Sequence, residues 1–144
     1  MVTLRLTVKA KAVASVSAAV TATSLAAGVA GAAAEGLALA WLQQRGLTLV
    51  RRNYRVARGP GARGGEIDLI LREADGTLVF CEVRARGNAR HGGAAASVSA
   101  AKQRALIYTA QHFLLTLPRL PPCRFDVLAI DAGRVEWLRG AFDA

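Results

Sequence analysis

The runs Gly65-Glu66-Ile67-Asp68-Leu69-Ile70 and Val79-Phe80-Cys81-Glu82-Val83-Arg84 each set an acidic residue inside an otherwise apolar, strand-like stretch. A carboxylate in such a place is costly unless an arginine or a metal ion pairs with it. Asp75-Gly76 between them is a turn signal, so the two runs form a hairpin. Loop length then decides whether the acids meet. A two-residue loop, Asp75-Gly76, sets Asp68 opposite Val83 and turns its side chain away from Glu82. A three-residue loop, Ala74-Asp75-Gly76, sets Asp68 opposite Glu82 and Glu66 opposite Arg84. That loop wants a left-handed residue in its third place, where Gly76 stands, so the second register is expected. It puts Glu66, Asp68, Glu82 and Arg84 on one face. Facing like charges repel, so an Asp68–Glu82 pair implies a bound cation, and an all-oxygen ligand set points to Mg²⁺ or Mn²⁺. The plainer reading is a surface hairpin with an Arg84–Glu66 cross-strand pair.

The charges around the hairpin favour the first reading. The 144 residues carry 19 basic and 10 acidic side chains, a net charge of +9, which suits an anionic partner: nucleic acid or a membrane surface. Only Lys9, Lys11 and Lys102 are lysines; the remaining basic residues are arginines, whose planar fork matches phosphate oxygens. Arg51, Arg52, Arg55, Arg58 and Arg63 precede the acids with no carboxylate between them. Arg84, Arg86, Arg90, Lys102 and Arg104 follow Glu82, and the next acid is Asp126. Carboxylates framed by basic segments are what a metal-dependent phosphodiesterase needs, since arginines hold phosphates and carboxylates hold the metal.

Length and composition suit one domain with a real core, and argue against a disordered chain, a disulfide-rich miniprotein and a polytopic membrane protein. Cys81 and Cys123 show no metal-ligand spacing and read as buried free thiols. Residues 1–30 stand apart. A mildly basic start leads into an Ala/Val/Ser/Thr stretch that has the outline of a signal peptide, but serines and threonines interrupt it and it is poor as a membrane span. We read it as a poorly ordered or loosely helical Ala-rich extension of a cytoplasmic protein without stable membrane association, with export as the alternative. Residues 31–144 form the domain. Leu37, Ala38, Trp41 and Leu42 mark a helix over 34–45 that Gly46 ends. Strands follow over 47–56, 66–72 and 77–84. Ser97 or Ser99 caps a helix running to about Thr116, and strands over 123–131 and 134–138 close the domain. The order α-β-β-β-α-β-β implies an α/β fold: a mixed sheet flanked by helices. Trp41 and Tyr54 read as core rather than as base-stacking residues, His91 as a solvated loop residue, and Asp126 as a partner for an arginine; His112 has no evident partner.

Glu66-x-Asp68, the Glu82-Val83-Arg84 element and the element order resemble the PD-(D/E)xK nuclease superfamily. More closely, the chain is similar to the YraN-type uncharacterised family, related to archaeal Holliday-junction resolvases. Gly31-x-x-Ala34-Glu35-x-x-Ala38-x-x-Trp41-Leu42, Arg52-Asn53-Tyr54-Arg55, Gly65 to Ile70, Phe80 to Arg86, Lys102-Gln103-Arg104 and Arg124-Phe125-Asp126-Val127 carry the likeness. It implies a restriction-endonuclease-like fold and a Mg²⁺- or Mn²⁺-dependent endonuclease-like activity, on branched DNA by kinship with the resolvases. Asp68 and Glu82 would be the metal carboxylates, with Glu35 and Glu66 assisting. Arg84 and Gln103 would position phosphate and water, and Arg52, Arg55, Arg58, Arg63, Arg86, Lys102 and Arg104 would bind the DNA backbone. Arg84 stands where the superfamily usually has lysine and, being always protonated, is unsuited to general-base work. A non-catalytic nucleic-acid-binding module on the same fold is therefore the alternative. Resolvase-like chemistry on two strands would suggest a homodimer, though no segment declares an interface.

Overall fold

A computed structural model describes residues 12–14, 32–60, 64–86, 98–131 and 133–144. Arg63, His91 and most of residues 1–31 lie outside the described residues. Helix α1 (Ala32–Gln43) is followed by strands β2 (Thr48–Val56), β3 (Gly65–Arg72) and β4 (Leu78–Arg86), helix α2 (Ala100–Leu114), and strands β5 (Cys123–Asp131) and β6 (Arg134–Phe142). The expected α/β fold and element order are borne out from Ala32 onward. One further strand precedes them: β1 (Ala12–Ala14) pairs antiparallel with β6 at the sheet edge. Strand order is β1-β6-β5-β4-β3-β2. Among the described strands only β4 and β5 run parallel, because α2 is the crossover between them. No helix among the described residues is long and apolar enough to cross a membrane.

The helices cover opposite faces of the sheet, giving three layers and two cores. Ala34, Ala38, Trp41 and Leu42 of α1 recur at helical spacing and pack on Leu69, Leu71, Val79, Cys81, Leu128, Ile130 and Trp137. Leu106, Ala110, Phe113 and Leu114 of α2 pack on Ile67, Ile70, Leu78, Phe80, Phe125 and Val127. The near-continuous apolar runs of β3, β4 and β5 follow from this, since a strand between two helical layers is buried on both sides.

Local chemistry sets the boundaries. Gly46 adopts φ 89° after α1, and Gly46 N–H and Leu47 N–H donate to Gln43 O and Leu42 O, closing the helix end. Ser99, one of the two expected caps, accepts from Lys102 N–H at 3.1 Å at the start of α2. Strand β6 runs four residues beyond its expected end at Leu138. Gly140 reads as a stop, but at φ 62° it sits at an irregularity in the β5–β6 pairing, and Phe142 pairs with Phe125 beyond it.

Buried Asp126 accepts from Arg124 Nε at 2.9 Å, Trp137 Nε1 at 2.9 Å and Gly140 N–H at 3.0 Å. Arg124 also reaches Glu73 Oε1 at 2.8 Å, which ties β5 to the β3–β4 turn. Asp126 is thus the arginine partner that its sequence position suggested. Cys81 and Cys123 are buried free thiols, as expected, and burial raises the pKa of each. Trp41 lies in the core, edge-on to Trp137 at 5.6 Å.

Candidate metal and nucleic-acid site

The hairpin has the three-residue loop. Arg72 pairs with Leu78 and Leu69 with Cys81, and Gly76 takes the left-handed conformation at φ 89°. Gly76 N–H closes the turn on Glu73 O, and Asp75 Oδ1 accepts from Thr77 N–H at 2.9 Å. The β3–β4 ladder ends at Leu69–Cys81. Just beyond it, Val83 N–H donates to Asp68 Oδ2 at 2.9 Å, so a carboxylate stands where the two strands part.

The acids do not all share one face, which corrects the expected arrangement. Ile67 packs on the α2 side and Leu69 on the α1 side, although two residues apart in a regular strand would point the same way. The alternation slips at Asp68. Its partner strand slips with it: Asn53, opposite Asp68 in the β2–β3 register, has φ 49°. Asparagine is among the few side chains that tolerate this conformation. The paired slip turns Glu66 and Asp68 toward α1, where carboxylate oxygens of Glu35, Glu66 and Asp68 lie within 4.8 Å of one another. With its amide nitrogen turned to the acids, Asn53 donates to Glu35 Oε2 at 2.9 Å and Glu66 Oε1 at 3.2 Å. Sequence reasoning gave Asn53 no role; its signal was an asparagine inside a strand, where it is ordinarily depleted.

Glu82 keeps the regular alternation of β4 and belongs to the α2 side. It is buried, and its Oε1 lies 3.5 Å from Lys102 Nζ and 3.6 Å from Arg84 Nε. The Asp68 and Glu82 carboxyls are neighbours whose titrations are linked. When both are ionised they are both acceptors, and Glu82 Oε2 is then buried without a partner. Burial and the Asp68 charge push Glu82 up to about 7, against the pull of Lys102 and Arg84. Burial likewise raises Asp68, despite the Val83 N–H bond. Glu35 is raised by burial and by Asp68. The donors of the Glu35, Glu66 and Asp68 cluster are all hard oxygens, the ligand type that Mg²⁺ or Mn²⁺ takes.

The basic residues fall into three groups. Arg55, Arg58 and Lys102, with Gly64, Gly65, Ala101 and Ala105, line a groove of about 850 Å³ beside Glu66. Gly65 is required there, because a Cβ would stand 1.8 Å from Thr109 Oγ1 and 2.8 Å from Ala105 O. Arg55 Nε also pairs with Glu66 Oε2 at 3.0 Å. Arg52 turns toward α1, with NH2 3.5 Å from Ala32 O, and Arg104 is exposed on α2. Arg86 ends β4, and Arg63 lies outside the described residues. Gln103 is not free to face the carboxylates: its Nε2 donates to Val98 O at 3.1 Å and ties down the approach to α2. Lys102, one residue earlier on the helix, reaches Glu82 instead.

The family model described as Uncharacterised protein family UPF0102 matches residues 34–130, which hold both helices and all the acids of the site. A UPF0102 protein of Acidovorax sp. (strain JS42) is 60% identical over 115 residues, covering 80% of this chain and 85% of its own length. One from Methylibium petroleiphilum is 59% identical over 110 residues, covering 76% and 90%. One from Cupriavidus metallidurans is 60% identical over 113 residues, covering 78% and 80%. With most of its length inside the family model and relatives at this level of identity, the chain belongs to the Uncharacterised protein family UPF0102, the YraN-type family that its motifs resemble.

Proposed function

We propose that this protein is a metal-dependent, endonuclease-like phosphodiesterase acting on DNA, with the PD-(D/E)xK superfamily as its wider kin. The observation that carries this reading is the meeting of Glu35, Glu66 and Asp68 carboxylate oxygens within 4.8 Å of one another, beside a basic groove and next to the strand that bears Glu82. Asp68, Glu82, Glu35 and Glu66 would hold Mg²⁺ or Mn²⁺, and Asn53 fixes the last two relative to each other. A bound divalent ion supplies an activated water and stabilises the leaving oxygen. Arg84 and Lys102 present fixed positive charge at Glu82, placed to receive a phosphate oxygen. Arg55, Arg58 and Lys102 steer the backbone along the groove, while the Arg84 guanidinium, a donor only, orients phosphate or water. Branched DNA is the substrate implied by kinship with the resolvases, cleavage of two strands would call for a second copy of the chain, and a DNA substrate would place the protein in the cytoplasm.

A second reading, a nucleic-acid-binding module without cleavage, is favoured by two features. Arg84 replaces the usual lysine, and the Gln103 amide is spent on Val98. Both readings are tested by incubating labelled linear and four-way-junction DNA with Mg²⁺, Mn²⁺ or chelator. The wild type should cleave only with metal, and Asp68→Asn should bind DNA but not cut it. Equal cutting by the two proteins would trace the activity to a contaminant and overturn the nuclease reading. Binding without cutting by the wild type, with cutting gained by Arg84→Lys, would establish the second.

A further inference from the structure

One aromatic ring outside the carboxylate cluster, that of Tyr108, belongs to neither core. Ala101, Ala105, Tyr108 and His112 follow one another along one stripe of α2. The first two line the groove, and Tyr108 continues that line one turn further on. The Arg58 guanidinium carbon, on the groove wall, lies 4.2 Å from the Tyr108 ring centroid. The His112 ring lies 4.5 Å from that of Tyr108, tilted by 58°. Among the described residues the other aromatic rings are committed. Trp41, Phe80, Phe113, Phe125, Trp137 and Phe142 are buried, and half-buried Tyr54 packs edge-on against Phe113 at 5.2 Å. Tyr108 is half-buried and belongs to neither core. Arg58 is exposed at the start of a Gly-Pro loop and has no carboxylate partner among the described residues.

A cationic groove that ends in a half-exposed ring is the arrangement that tracks a nucleic-acid strand by its phosphates and stacks its bases. We infer that Tyr108 is a stacking platform for an unpaired nucleobase, with Arg58 covering the ring in the free protein and turning to the adjoining phosphate when the base arrives. Bases inside a duplex have no free face to offer, so the preferred ligand is DNA with an unpaired stretch. The inference rests on the nucleic-acid reading above and narrows its substrate; it does not depend on cleavage.

The test is fluorescence anisotropy in chelator, using a short labelled single-stranded oligodeoxynucleotide and the same sequence as a blunt duplex. Tyr108→Leu keeps apolar bulk but loses the aromatic face, Tyr108→Phe keeps the face, and thermal melts check that both variants fold. Tyr108→Leu should weaken single-strand binding by roughly ten- to a hundred-fold, with duplex binding changed by less than about two-fold. Tyr108→Phe should match the wild type. Arg58→Ala should weaken both ligands and flatten the salt dependence by about one phosphate contact. Unchanged single-strand binding by Tyr108→Leu, or an equal loss on both ligands, overturns the stacking platform while leaving the nucleic-acid reading intact. A wild type that binds neither ligand overturns that reading, and the platform with it.

Discussion

Replacing Glu82 with glutamine should make the protein more stable at alkaline pH. The Glu82 carboxyl ordinarily titrates near 4.5 and is pushed up to about 7 in the folded protein, by burial first and the Asp68 charge second. The folded state therefore holds this proton more tightly than the unfolded chain does. An acid raised in this way adds stability below its unfolded pKa, loses it as pH rises between about 4.5 and about 7, and contributes nothing to the difference in slope above that. Each unit of displacement corresponds to about 1.4 kcal/mol, so the ionised side chain costs about 3 kcal/mol at alkaline pH. That is a large part of the roughly 5–15 kcal/mol that holds a domain together. Glutamine keeps the shape and removes the charge. Urea denaturation in chelator at a pH of about 5 and of about 8 is the assay. The wild type should lose about 2–3 kcal/mol relative to Glu82→Gln between the two conditions, since at the lower pH a small part of the loss has already occurred. Added Mn²⁺ at the higher pH should restore stability to the wild type far more than to the variant, since ligand binding stabilises only a state that binds it. Parallel pH profiles for the two proteins would refute the claim that Lys102 and Arg84 offset only part of the cost of burying the Glu82 charge.

Gly65→Ala should destabilise the protein by about 1–3 kcal/mol in the same denaturation assay, because the new methyl meets the Ala105 backbone oxygen and not only the movable Thr109 hydroxyl. It should also weaken DNA binding, since β3 would be driven off α2 where the groove runs. Asp126→Ala should cost about 3–5 kcal/mol, seen as a lowered thermal midpoint, because it leaves Arg124 buried with Glu73 as its remaining carboxylate.

Much of the fold could be read from local pattern because local chemistry decided it. Gly76 fixed the hairpin loop and hence the register that pairs Leu69 with Cys81, one step short of Asp68 and Glu82. Gly46 and Ser99 marked helix ends because one residue's backbone freedom or hydroxyl satisfies groups that any helix leaves open. Asp126 was readable as an arginine partner because a carboxylate among Phe125, Val127 and Leu128 has few other ways to be buried.

The site was harder to read. A period of two predicts which side chains share a face only while the strand stays regular. The slip at Asn53 and Asp68 depends on two strands bending together, which the pattern along either strand does not show. Gln103 and Lys102 are neighbours in sequence, yet the helix start assigned the amide to Val98 and the ammonium to Glu82.

By itself, then, the sequence determined the layers, the element order and the hairpin register, since these follow from hydrophobic period and turn chemistry, both of which act over a few residues. Tertiary structure alone decided which oxygens face one another, which carboxylate oxygen is left buried without a hydrogen bond, and which ring stands beside Arg58 at the groove. Those outcomes depend on distances between segments far apart along the chain, and on how burial and like charge accumulate where the segments meet.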